Sequence, residues 1–331
     1  AGLVAAAIVQ LVVHEFGHLL GGWLSGYRFV SIRFGSLIWV RASGKVRLRR
    51  LHFGGLSGQC LMAPPGAADG GEGHRMPHFL YNLSGPAVNL ALGAVSGGLA
   101  LAAADRGLGE LFFAQMALVG VMIGLLNGLP VSPGLVPNDG RNERLMAAAG
   151  APGQASRRAV RITVAITERA AEGTRLRDLP AEWFAVRAPE GDGNYLVGSL
   201  RTAACGRLMD KLKFAEADQA ITELLESGAA LAGAHRLRLT VDLVFCELVG
   251  QNRPDVVGRL MTKPTRDFMK ALRRQPSVLR TDYALARLSR HDPAAASRIR
   301  AEFDRIAKAY PYPGDIAGER ELMAHVDGIV A

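Results

Sequence analysis

Cysteine is scarce in this 331-residue chain, which holds only Cys60, Cys205 and Cys246. An odd count with no two at metal-ligand spacing excludes a disulfide framework and suits a chain that faces the cytosol. Acidic residues are missing between Tyr27 and Phe53, where Arg28, Arg33, Arg41, Lys45, Arg47, Arg49 and Arg50 stand. Basic residues are missing before the first apolar run, so that run lacks the charged start of a signal peptide. The chain opens with Ala1 rather than Met, from which an upstream segment is expected. A net charge of +9 would suit nucleic acid, but its placement suits a membrane surface better, and no nucleic-acid partner is expected.

Long apolar runs are what the sequence does contain. Residues 3–24, 83–104 and 111–131 each approach the roughly 20 residues that cross a bilayer. The alternative is three buried helices of a soluble core. The rule that basic loops stay inside puts the loop after the first run in the cytoplasm. Residues 105–110 then lie outside, and Arg141 and Arg144 return to the cytoplasm. All three spans agree on one topology, with the C-terminal half cytosolic.

The first run contains His14-Glu15-Phe16-Gly17-His18. An ionisable group near the centre of a membrane helix costs roughly 2.5–3.5 kcal/mol, so such groups are usually functional. Residues four apart share a helix face, and both imidazoles can therefore reach one metal ion. Glu15 stands beside that face, where a carboxylate can take a proton from water. The competing reading is a buried histidine pair satisfied by hydrogen bonds. Catalytic zinc usually takes three protein ligands. Glu72, His74 and His78 are the nearest candidates downstream, in a glycine-rich stretch. Asp139 is the better one, because it follows the third run at the same cytoplasmic depth as the two histidines.

Three motifs in this order resemble the site-2 protease family of intramembrane zinc metalloproteases. They are His14-Glu15-Phe16-Gly17-His18, Asn82-Leu83-Ser84-Gly85-Pro86-Ala87-Val88-Asn89, and Asn127-Gly128-Leu129-Pro130 followed by Asp139-Gly140. The resemblance covers about residues 1–149. It implies a three-span membrane core, Zn2+ held by His14, His18 and Asp139, and Glu15 as general base. Asn127 is the candidate oxyanion donor or substrate-positioning group and Asn89 the second; helix–helix hydrogen bonding is the alternative for both. The link of residues 131–138 is longer than the commoner family pattern and matches bacterial members with a cytosolic helical extension. The implied setting is a bacterial inner membrane and the implied substrate a membrane protein or peptide. Anti-sigma factors, signal peptides and pheromone precursors all fit.

The remaining sequence predicts the surrounding architecture. Residues 29–41 alternate like one strand, Ser43-Gly44 is a turn, and a basic strand follows through Val46, Leu48 and Leu51. An extended substrate is expected to pair with an edge of these strands. Residues 54–73, rich in Gly and Pro, read as irregular. A boundary is expected at Gly150-Ala151-Pro152-Gly153, giving a core of 1–149 and an all-α cytosolic domain of 150–331. Nine short helices are predicted there, between residues 154 and 329. They resemble tetratricopeptide-like hairpins in places but show no firm repeat, and they suit substrate selection or a regulatory partner. The competing functions are a zinc peptidase using Glu72 or His74, a membrane protein for ion or proton transfer, and an inactive scaffold.

Overall fold

The computed structural model describes residues 2–51, 57–67, 76–103, 107–131, 137–186 and 193–330. The chain divides into two compact units, residues 1–34 with 56–161 and residues 35–55 with 162–331.

In the first unit, α1 (Gly2–Leu24), α2 (His78–Ala102) and α3 (Leu108–Gly128) pack on one another, and each is long and apolar enough to cross a membrane. Close packing of α1 and α2 depends on small residues. A Cβ at Gly17 would lie 2.8 Å from the Ser84 carbonyl oxygen and 2.9 Å from Gly85 Cα. Helix α2 starts at His78, five residues before the predicted span, and runs unbroken through Pro86. A short helix, α4 (Asp139–Ala147), follows α3 and packs on α2. Asn138 caps it by accepting from the Arg141 backbone N–H at 3.0 Å. The same side chain donates to the Leu126 and Leu129 carbonyls at 2.5 and 2.6 Å, which ties the start of α4 to the end of α3.

Four short strands make a small antiparallel sheet. The predicted strand over 29–41 is two strands, β1 (Arg28–Phe34) and β2 (Leu37–Ala42), separated where Gly35 takes a φ of +56°. Alternation persists across that turn, so periodicity alone did not reveal it. The region expected to be irregular holds another strand, β4 (Gly58–Ala63). It pairs with β1, Ile32 opposite Cys60, and packs against α1. Its local sequence is punctuated by Gly and Pro; the distant partner supplies the ladder that defines it.

The second unit contains the β2–β3 hairpin and the helices. The hairpin joins Leu37–Ala42 to β3 (Lys45–Arg50) through Ser43 and Gly44, with φ of +48° and +76°. Two consecutive positive φ values match the twist of a two-residue hairpin. Every predicted helix is present, with ends shifted by up to five residues, the largest where the helix expected over 277–289 passes into a π-helical turn at Leu285–Ser289. They are α5 (Gly150–Glu172, which begins in the first unit), α6 (Tyr195–Asp210), α7 (Phe214–Glu226), α8 (Gly233–Val249), α9 (Pro254–Leu260), α10 (Lys263–Ala271), α11 (Pro276–Ala284), α12 (Pro293–Ala307) and α13 (Pro313–Val330). Asp292 accepts from the Ala295 N–H at 2.8 Å, capping α12 with Pro293 in its first turn. Ile221, Leu239, Val244, Phe245 and Phe303 form the centre of one apolar core.

Candidate metal centre

The helical repeat of α1 stacks Gln10, His14 and His18 at intervals of four on one buried face. α2 presents Tyr81 and Asn89 to that face, and α4 brings Asp139. His14 Nε2 and His18 Nε2 are 3.1 Å apart, and Asp139 Oδ2 lies 3.1 Å from the first and 3.3 Å from the second. This is the one group of three or more metal-ligating side chains that converges among the described residues. Two ligands about 2.0–2.1 Å from a tetrahedral zinc lie roughly 3.3 Å apart, so the three atoms sit at the separations one such ion requires.

The outer contacts fix which nitrogen carries each proton. His18 Nδ1 lies 2.7 Å from the Tyr81 carbonyl, which only accepts, so Nδ1 is the donor. His14 Nδ1 lies 2.5 Å from Asn89 Oδ1. Asn89 Nδ2 donates to Gln10 through its backbone oxygen at 2.8 Å and its Oε1 at 2.7 Å, which orients the amide and leaves Oδ1 as acceptor. Gln10 in turn donates from Nε2 to the Met116 carbonyl at 3.0 Å. With Nδ1 engaged in this way on both rings, each neutral imidazole would turn its Nε2 lone pair inward, toward the carboxylate. Three electron-rich atoms at contact distance in a buried site call for a cation. The donor set of two imidazoles and one carboxylate is one that divalent zinc and non-haem iron both take.

Glu15 is buried beside the cluster, against the start of β4. A Cβ at Gly58 would come within 2.3 Å of Glu15 Oε1, so only glycine lets the strand approach the carboxylate this closely. Gly85 plays the same part on the other side, where a Cβ would meet His18 Nε2 at 2.4 Å. α4 is anchored by Glu143, which accepts from His78 at 2.8 Å and Asn82 at 2.9 Å. Those bonds lower the Glu143 pKa against the rise that burial alone would bring.

The structure thus gathers His14, His18, Asp139 and Asn89, with Glu15 alongside. Asn127 is apart from them, donating to the Ile123 carbonyl of its own helix at 3.0 Å. His78 pairs with Glu143 rather than with the two histidines. Glu72 and His74 lie outside the described residues. Gln10 and the Tyr81 carbonyl were not expected among the site's groups. Gln10 had a signal, being a polar residue one turn before His14 in an apolar run. A backbone carbonyl has none. No protein-family model, curated protein or solved structure matches this chain.

Proposed function

We propose that the chain is an intramembrane zinc metalloendopeptidase of the site-2 protease type, hydrolysing a peptide bond of a membrane-spanning or membrane-associated substrate. The observation that carries this reading is the convergence of two inward-facing Nε2 atoms on one carboxylate, inside helices of membrane-spanning length. His14, His18 and Asp139 would hold the zinc. Bound zinc supplies a Lewis acid that makes water easier to deprotonate at neutral pH. Glu15 takes the proton from that water as its oxygen adds to the scissile carbonyl carbon, and delivers it to the departing amine. Asn89 and Tyr81 hold the imidazoles in the required tautomers. Asn127 is assigned to substrate positioning or oxyanion contact.

A substrate helix must first unwind, because its peptide groups are hydrogen-bonded internally. Among the described residues β4 pairs only with β1, and its first residue touches Glu15. The free edge of β4 therefore supplies the ladder on which an extended substrate segment pairs, a shift from the earlier strands that sequence favoured. The protein is assigned to a bacterial inner membrane with residues 150–331 in the cytosol, where the helical domain selects substrate or meets a regulatory partner.

The test is metal content and cleavage of a transmembrane model substrate by detergent-purified protein, intact and as Asp139→Ala, after mild chelation. Near-stoichiometric zinc that is weakened in the variant, with cleavage lost, supports the reading. Zinc unaffected by the substitution moves the third ligand elsewhere. Zinc-independent ion or proton flux in vesicles without cleavage would replace the protease reading with transfer.

A further inference from the structure

The β2–β3 hairpin has two unlike faces. Residues opposite one another in an antiparallel pair point to the same side. One side carries Ile38 and Val40, which are buried and pack with Ala171 and Tyr312 of the same unit. The other carries Leu37 opposite Arg50, Trp39 opposite Leu48, and Arg41 opposite Val46. On this second side Leu37 is 37% exposed, Leu48 51% and Val46 56%. Trp39 sits between them, half-buried.

Charge surrounds this apolar patch and is of one sign. Arg41, Lys45, Arg47, Arg49 and Arg50 occur within residues 37–51, which contain no acidic residue. None of the five forms an ion pair among the described residues. Unpaired cations beside exposed Leu, Val and Trp are a poor design for water and a good one for the boundary between headgroups and acyl chains. The covalent path supports that solvent. From Leu24, the end of α1, to Leu37 is 13 residues, a reach of at most about 45 Å. The hairpin therefore stays near any bilayer that α1 enters.

We infer that the Leu37–Trp39–Val46–Leu48 face of the hairpin is a docking surface for anionic lipid, its apolar side chains entering the interface, Arg41 and Arg50 on that face meeting lipid phosphates, and the other three cations adding to the local positive field. This inference is independent of the metal centre and of proteolysis. Tethered cations near an anionic leaflet each favour contact about fivefold, and the attraction weakens with salt.

The experiment uses the full chain in nanodiscs of phosphatidylcholine alone, or of equal parts phosphatidylcholine and phosphatidylglycerol, with bromine on the upper acyl chain. Trp23→Phe and Trp183→Phe leave Trp39 as the sole tryptophan. Trp39 fluorescence is expected to be quenched in the anionic discs, with quenching reduced by salt, by Arg41→Gln with Arg50→Gln, and in phosphatidylcholine alone. Hydrogen exchange of residues 45–50 in the unsubstituted chain is a second reading, expected to slow in the anionic discs. Equal quenching or equal exchange in the two lipids overturns anionic-lipid recognition. Absence of quenching in both overturns the docking surface, including where a protein partner or a second copy covers the face instead.

Discussion

The two units handle buried polarity in opposite ways. In the first, Phe16, Leu20, Trp23, Leu118 and Leu101 point outward while Gln10, His14, Glu15, His18, Asn82 and Asn89 are buried. In the second, Leu239, Val244, Phe245 and Phe303 are buried, and so are Arg280 and Asp242. Arg280 donates to Asp242 at 2.6 Å and Glu319 at 3.0 Å, and its guanidinium lies over the Phe245 ring at 4.3 Å. Arg280, Asp242 and Glu319 thus each have an opposite charge beside them. At the His14–His18–Asp139 cluster three metal-ligating atoms converge on one point. A matched buried pair is explained by the fold that contains it. A convergence of metal-ligating atoms is the arrangement that a bound ion requires, and this difference separates a structural network from a candidate active centre.

The comparison breaks most sharply at Glu15. Glu15→Gln keeps the shape of the carboxylate but cannot accept the proton, so turnover of a model substrate should fall by about 10²–10⁴. Zinc content, measured on the same preparation, should stay unchanged. Parallel loss of both would make Glu15 part of the binding set. Arg280 tests the other unit. Arg280→Met leaves both Asp242 and Glu319 to Arg238 alone, at 3.1 and 3.4 Å. Removing one partner of a buried ion pair costs about 3–5 kcal/mol, and the remaining Arg238 contact puts the expected loss near the lower figure. Urea denaturation followed by circular dichroism checks it; a neutral or stabilising result would mean that the network is dispensable packing.

These differences set how much was legible in advance. The helices of both units were readable because hydrophobic period and caps are local, as at Asp292-Pro293. The His-Glu-x-x-His spacing is local too, and the structure brings Asp139 to it as expected. Gly35 was unreadable as a break because alternation continued through it. β4 was unreadable because its identity comes from β1, more than twenty residues away in sequence. The orienting shell of the histidines was half-legible. Asn89 was named for another role, whereas its contact to His14 depends on how α1 and α2 cross.

That contact gives a smaller, sharper test of the metal-ligating cluster. Asn89→Ala removes the oxygen that fixes the His14 tautomer and frees Gln10, while every direct ligand remains. Loss of such an orienting partner typically weakens metal binding by 10–100-fold. Competition against a chelator of known affinity measures it. Asn127→Ala, changed at a residue whose side chain bonds within its own helix among the described residues, should leave zinc affinity alone and act on substrate turnover if it acts at all.

The smallest effect concerns a charge in the second unit that lacks the matching found around Arg280. Burial, with Glu319 and Asp210 nearby, raises the Asp315 pKa to about 7, against the opposing pull of Arg238. A carboxyl whose folded pKa is raised binds its proton more tightly when folded than when unfolded. Its contribution to stability is therefore fully present below the unfolded value near 4 and declines as pH rises toward 7. Above that the group is a buried anion among anions. Asp315→Asn keeps the shape without the titration, so the variant should gain on the parent as pH rises from about 4 to 7, by roughly 1–2 kcal/mol after allowance for partial solvent access. Only the difference between the two proteins is diagnostic, because other carboxylates and histidines titrate in the same window. Parallel stability curves would place Asp315 in a wetter, better-paired position, and would bring it into line with the matched charges around Arg280.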